Sequence, residues 1–233
     1  MDTMFKNLCA KLYYEQDKPK RIDGNKDNEG FISTLVFSVI HLLWCLSLIE
    51  IFKGIAVSRS PSTERKSRAN AIDFHTVLKW VIVLFFLVYP RGLAWKVGVG
   101  TLAYFLFMNL FSYFYYHLWK YEPPTEIASK PDVFHARTNR RFILFALSFL
   151  YSIVGFAAFF RGPWGAELRL FDRSMENAPI TDALAASVAN AFTFTPGQFV
   201  PASHFGYALL TTQVFYSFVF LVVILVVSLP PKS

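Results

Sequence analysis

The sequence predicts an all-α integral membrane protein, and three observations carry that prediction. The chain of 233 residues is 54% hydrophobic and 18% aromatic but only 17% charged, whereas soluble domains carry about a quarter charged residues. Its mean hydropathy is +0.37. The apolar residues also lie in long blocks, and about 20 such residues are needed to cross a hydrocarbon core roughly 30 Å thick.

Five transmembrane helices are expected. Residues 1–30 form a polar N-terminal tail with a basic run at Lys18–Arg21. Phe31–Ile51 is the first span, interrupted only by His41 and by Glu50 near its end. It is too long for the apolar core of a cleaved signal peptide, and the residues before it mix acids with bases. Two readings stay open for Glu50: a buried polar contact with His41 and Trp44 inside the span, or a carboxylate that snorkels toward the nearby interface. Ser58–Arg68 reads as a polar linker rich in hydroxyls. Phe74–Tyr89 is a shorter second span whose Lys79 is expected to reach for a headgroup. A Pro-Arg-Gly turn leads to the third span, Gly92–Trp119, whose end, Phe111–Trp119, is dense in aromatic residues as interfacial belts are. Together, 31–119 make a three-span bundle.

Residues 120–141 read as a basic linker in which Pro123, Pro124 and Pro131 oppose a long helix. A second module covers 142–233, with clean spans at Phe142–Phe160 and Phe205–Leu229. No C-terminal ligand-sensing domain is expected after it. Between its spans, Arg161–Gly165 resembles a turret that exposes an aromatic ring to the headgroups. Thr181 and Asp182 mark the start of a short helix: Thr181 caps it and Asp182 faces the positive end of its dipole. Ala183–Phe192 is rich in small residues that allow tight packing. Pro196 lacks an N–H and turns Thr195 away from helical dihedrals, so the helix is expected to stop and the chain to return extended.

Ser187–Pro201, SVANAFTFTPGQFVP, resembles the pore loop of the two-transmembrane potassium-channel module, with its pattern S-V-V-T-L-T-T-V-G-Y-G-D-I-V-P. Ser187, Val188, Thr193, Gly197, Val200 and Pro201 coincide without a gap. The resemblance covers the chain from about Arg140 onward. It implies a re-entrant helix and loop between the last two spans, an ion pathway at Thr193, Phe194, Thr195, Pro196, Gly197 and Gln198, and a homotetramer, since one loop per chain closes a pore only by symmetry. The departures fall in the filter. Thr195 replaces its first Gly, Pro196 its Tyr and Gln198 its mouth acid, which argues against stacked carbonyl rings that strip an ion of its water. Uncharged oxygens of Thr193, Thr195 and Gln198 facing a hydrated monovalent cation, with weak selectivity, are the expectation. The alternative is a non-conducting scaffold or accessory subunit that keeps the fold and only packs the bundle.

Other classes receive less support. The net charge of +7 is explained by basic loops beside spans, so no nucleic acid is expected. The lysines and arginines favour the side of Ser58–Arg68 and 120–141 only slightly, and the resemblance places the loop outside a plasma (inner) membrane. No span carries a regular Arg or Lys repeat of the voltage-sensing kind. The five histidines lack metal-ligand spacing, and Cys9 and Cys45 lie in a tail and a span. No metal, cofactor or catalytic residue is expected, and an enzyme is not.

Overall fold

The computed structural model describes residues 31–59, 63–116, 131–194 and 199–224. The chain is mostly helical, and by its contacts it divides into two compact units, Met1–Lys79 and Trp80–Ser233. Among the described residues, three helices are long and apolar enough to cross a membrane: Lys66–Val88, Phe142–Arg161 and His204–Val222. A bent pair, Thr34–Leu46 with Leu48–Arg59, makes a fourth if it is one span. The third expected span is represented by a shorter apolar helix, Gly98–Phe114, and its end, 117–119, lies outside the described residues.

In the first unit, α1 (Phe31–Leu46) and α2 (Leu48–Arg59) replace the expected single helix. They meet at an angle of 60° across Ser47. There the ladder tightens to three-residue steps, Ser47 N–H to Trp44 O and Glu50 N–H to Ser47 O, both 3.1 Å, which is how a Ser-centred kink is made. Glu50 does not snorkel. Its carboxylate accepts from Lys53 Nζ at 2.8 Å, and both side chains are buried. Lys79 is buried as well. The His41 ring lies between Phe37 and Trp44, stacked on both, and its Nε2 is 3.9 Å from Cys45 Sγ. Phe52 packs its ring on Phe74 and His75, so α2 lies against the first half of α3 (Glu64–Val88). That helix takes in Glu64–Arg68 from the expected linker. Ile32, Leu35, Val36, Val39 and Leu42 are exposed along α1, the surface a lipid contact requires.

In the second unit, the end of α3 turns at Tyr89–Gly92 into α4 (Leu93–Phe114). Gly92 takes φ +83°, a conformation that glycine adopts freely, so the anticipated Pro-Arg-Gly turn is present. The Trp95 indole meets the Phe86 and Phe159 rings edge-on, tying α3, α4 and α5 (Pro131–Arg161) together. α5 corrects the expected linker, because 131–141 are its first turns. Pro131 opens it, and a first-turn proline gives up no intrahelical hydrogen bond. Pro123 and Pro124 lie outside the described residues.

After α5, a 3₁₀ turn (Pro163–Glu167) leads into β1 (Leu168–Leu170) and β2 (Arg173–Ser174). Phe171 and Asp172 join them, both at positive φ. That is the two-residue turn whose twist matches paired strands. β3 (Phe199–Pro201) pairs antiparallel with the other edge of β1, giving the order β2-β1-β3. This small sheet is a departure from an all-α reading. Trp164 is not simply offered to headgroups: it stacks on Phe159 at 4.8 Å and meets Phe205 edge-on at 5.3 Å. Between β2 and β3 runs α6 (Ile180–Ala191), and after β3 comes α7 (His204–Phe218), prolonged by a π-helical turn at Val219–Ile224. Phe220 on that turn is fully buried against Tyr113, Phe145, Phe149 and Tyr216.

Candidate functional site

The loop between α5 and α7 holds the sequence-predicted site, and α6 positions it. Ala183 and Ala186 on α6 are buried, as are Ala157 and Ala158 on α5. Small residues let backbones approach closely where apolar surroundings give no hydrophobic drive. α6 runs antiparallel to α5: Ser187 Oγ donates to Ile153 O at 2.7 Å, and farther along the Phe192 ring meets Phe149 edge-on at 5.8 Å. It also lies on α7, where Asn190 Nδ2 donates to Leu210 O at 3.1 Å and to Gln213 Oε1 at 2.8 Å. Entry and exit are tied at one end. β1 follows the C-terminus of α5, β3 precedes the N-terminus of α7, and the two strands are paired.

The start of α6 differs from expectation. Pro179 occupies the N-cap position without a side-chain cap. Thr181 lies inside the first turn, where its hydroxyl donates to Asp182 Oδ1 at 3.3 Å. Asp182 is in that turn as anticipated.

The end of α6 stops before Pro196 can act on it. Thr193 takes φ +59°. Its N–H donates to Asn190 O at 3.1 Å, and Phe194 N–H reaches back to Ala189 O at 2.8 Å. These are the paired bonds of a Schellman stop, which normally places Gly at the left-handed position. A β-branched residue there is strained. The Thr193 hydroxyl donates to Phe192 O at 2.6 Å, and the Phe194 ring is 77% exposed. Of the six predicted pathway residues, the structure thus places Thr193 and Phe194 together at the exposed tip of α6. Thr195, Pro196, Gly197 and Gln198 lie outside the described residues. The chain is extended again at Phe199–Pro201, as anticipated.

Sequence reasoning missed the polar groups inside the module. Ser187, Asn190 and Gln213 are all buried. Gln213 Nε2 donates to the Ser187 carbonyl at 2.9 Å and hydroxyl at 2.7 Å. One turn on, Asn109 Nδ2 donates to Tyr216 Oη at 3.0 Å and Ser148 O at 3.2 Å, and Tyr216 Oη donates to Leu106 O at 3.0 Å. A lone amide within an apolar segment was the available signal, since such groups find partners across helices. Among the described residues, no set of three His, Cys, Asp or Glu is placed to hold a metal ion.

No family model matches this chain, and neither a curated protein nor a solved structure does. The potassium-channel resemblance therefore rests on the sequence of Ser187–Pro201 alone.

Proposed function

We propose that the chain is a membrane-embedded cation-channel subunit whose α6 and adjoining loop form a re-entrant pore segment, assembled as a homotetramer and conducting monovalent cations with weak selectivity. One observation carries the reading: α6 enters and the chain returns at the same end of α5 and α7, tied there by the β1–β3 pairing. Phe192 at the far end of α6 meets Phe149, which lies about 18 Å along α5 from Arg161 at 1.5 Å per residue. That depth passes the middle of a hydrocarbon core about 30 Å thick. Irregular backbone at such a depth is tolerated only when buried in protein or lining a watery path. The exposed Thr193–Phe194 tip is where four copies would converge, with Thr195–Gln198 lining the rest of the ion path.

A second reading, a non-conducting accessory subunit, is favoured by a specific observation. The carbonyls of Val188, Ala189, Asn190 and Phe192 already accept hydrogen bonds within the chain, which leaves each a single lone pair for an ion. The two readings separate in liposomes holding the purified protein. Flux of K⁺ and Na⁺ that Gly197→Pro abolishes, from a protein that cross-links as a tetramer, supports the pore. A monomer without flux gives the accessory reading.

A further inference from the structure

A cavity away from the pore-like loop has the makings of a ligand site. It has a volume of about 380 Å³ and is lined by Val88, Tyr89, Pro90, Arg91, Arg161 and Asn177. Val88 and Arg161 are the last residues of two apolar helices long enough to cross a membrane, so the cavity opens at headgroup level. Tyr89 is exposed beside it, as aromatic residues are at that boundary.

Its two arginines are held in place. Arg161 Nε donates to Ala178 O at 2.7 Å, and Nη1 donates to Leu87 O and to Val88 O, the latter at 3.0 Å. Arg91 Nε donates to Asn177 Oδ1. Asn177 is itself fixed, because its N–H donates to Arg161 O at 2.9 Å. Those bonds occupy Nε and Nη1 of Arg161 and only Nε of Arg91, so the remaining guanidinium edges keep their donors. Among the described residues, no carboxylate lines the cavity. Two like charges held beside one pocket repel, and an anion there relieves that cost. Guanidinium forks match phosphate oxygens better than any other side chain does.

We propose that this cavity binds the phosphate group of an anionic phospholipid, with Arg91 and Arg161 as its two donors, Arg91 ordered by Asn177 and Arg161 by the carbonyls of Leu87, Val88 and Ala178. A free phosphate ion shares the chemistry, and headgroup depth favours the lipid. The proposal holds whether or not the neighbouring loop conducts.

The test uses the full chain in detergent and native mass spectrometry, with dioleoyl-phosphatidylglycerol, dioleoyl-phosphatidylcholine and inorganic phosphate as separate probes. The expected result is retention of phosphatidylglycerol over phosphatidylcholine, weakened about tenfold in Arg91→Gln, the loss of one charged hydrogen-bonding partner. Arg173→Gln, an exposed arginine on β2 outside the cavity, is expected to leave retention unchanged. Asn177→Asp preserves the acceptor for Arg91 while adding a negative charge, so it is expected to weaken retention in a chain that still folds. Equal retention by the wild type, Arg91→Gln and Asn177→Asp overturns the site. Arg91-dependent retention of inorganic phosphate with none of phosphatidylglycerol overturns the lipid and assigns the cavity to the free anion.

Discussion

The Gln213 amide donates to both the hydroxyl and the carbonyl of Ser187, at 2.7 and 2.9 Å. The pair closes a circuit through three helices, because the Ser187 hydroxyl continues to Ile153 O on α5 and Asn190 returns a donor to Gln213 Oε1. Both ends of the Gln213 amide are thereby used. An apolar side chain at this position would leave a buried carbonyl and an amide N–H₂ short of partners. Gln213→Leu is expected to lower stability by about 1–3 kcal/mol, the cost of stranded buried polar groups. Thermal unfolding in detergent reads it. A double-mutant cycle with Ser187→Ala should give coupling of about 0.6–1.7 kcal/mol, the range of hydrogen bonds between membrane helices. Additive effects would mean that the two residues do not act together.

Thr193 carries backbone strain that a glycine would remove. A left-handed conformation costs an L-residue roughly 1–2 kcal/mol, and glycine forfeits about 0.5–1 kcal/mol of chain entropy in exchange. Thr193→Gly is therefore expected to raise stability by up to about 1 kcal/mol, seen as a higher unfolding temperature. If the variant melts lower, the 2.6 Å bond from the hydroxyl to Phe192 O outweighs the strain. Under the proposed pore reading the Thr193 hydroxyl lies on the ion path, so the same variant should shift the K⁺-to-Na⁺ flux ratio.

The sequence made the apolar helices, the Tyr89–Gly92 turn and the helix-then-extended course of the loop legible, because each depends on local pattern. What it hid depends on partners distant in the chain. Ser47 breaks a helix within an apolar run that reads as uniform. Leu168–Leu170 is too short to announce a strand, and becomes one only because Phe199–Pro201 lies beside it. Pro131 reads as a helix breaker until its place at a first turn is known. Pro196, which lacks an N–H, reads as the stop of α6, whereas the chain turns earlier, at Thr193, whose left-handed conformation no propensity favours. Gln213 stands out only once α6 is packed beside it, because its partners Ser187 and Asn190 lie on that helix.

Gly206 separates steric need from conformational freedom. It is buried at the start of α7, where Ser203 Oγ accepts from its N–H at 3.2 Å. A Cβ there would lie 2.2 Å from Glu167 O, and that oxygen also accepts from Ala202 N–H at 2.8 Å. Gly206→Ala is expected to push α7 off the strand junction and lower the unfolding temperature. Gly100 on α4 offers the contrast, with nothing within 4 Å of an added Cβ. Gly100→Ala should stabilise by about 0.5–1 kcal/mol through reduced chain entropy. A shift of the same sign in both variants would contradict the steric argument.

Glu50 and Lys53 are buried one helical turn apart with 2.8 Å between charges. Ion pairs in apolar surroundings gain little over a hydrophobic pair, yet breaking one strands a charge. Lys53→Met is therefore expected to cost about 3–5 kcal/mol, the typical loss when a buried pair loses one partner. The double variant Glu50→Leu/Lys53→Met removes both charges together, and its unfolding temperature should return most of the way to that of the wild type. That recovery would show that each charge serves chiefly to offset the other, with no net stabilisation from the pair. A double variant as unstable as Lys53→Met alone would mean that the carboxylate and ammonium each serve contacts beyond their own pair, and a purely mutual role would be excluded.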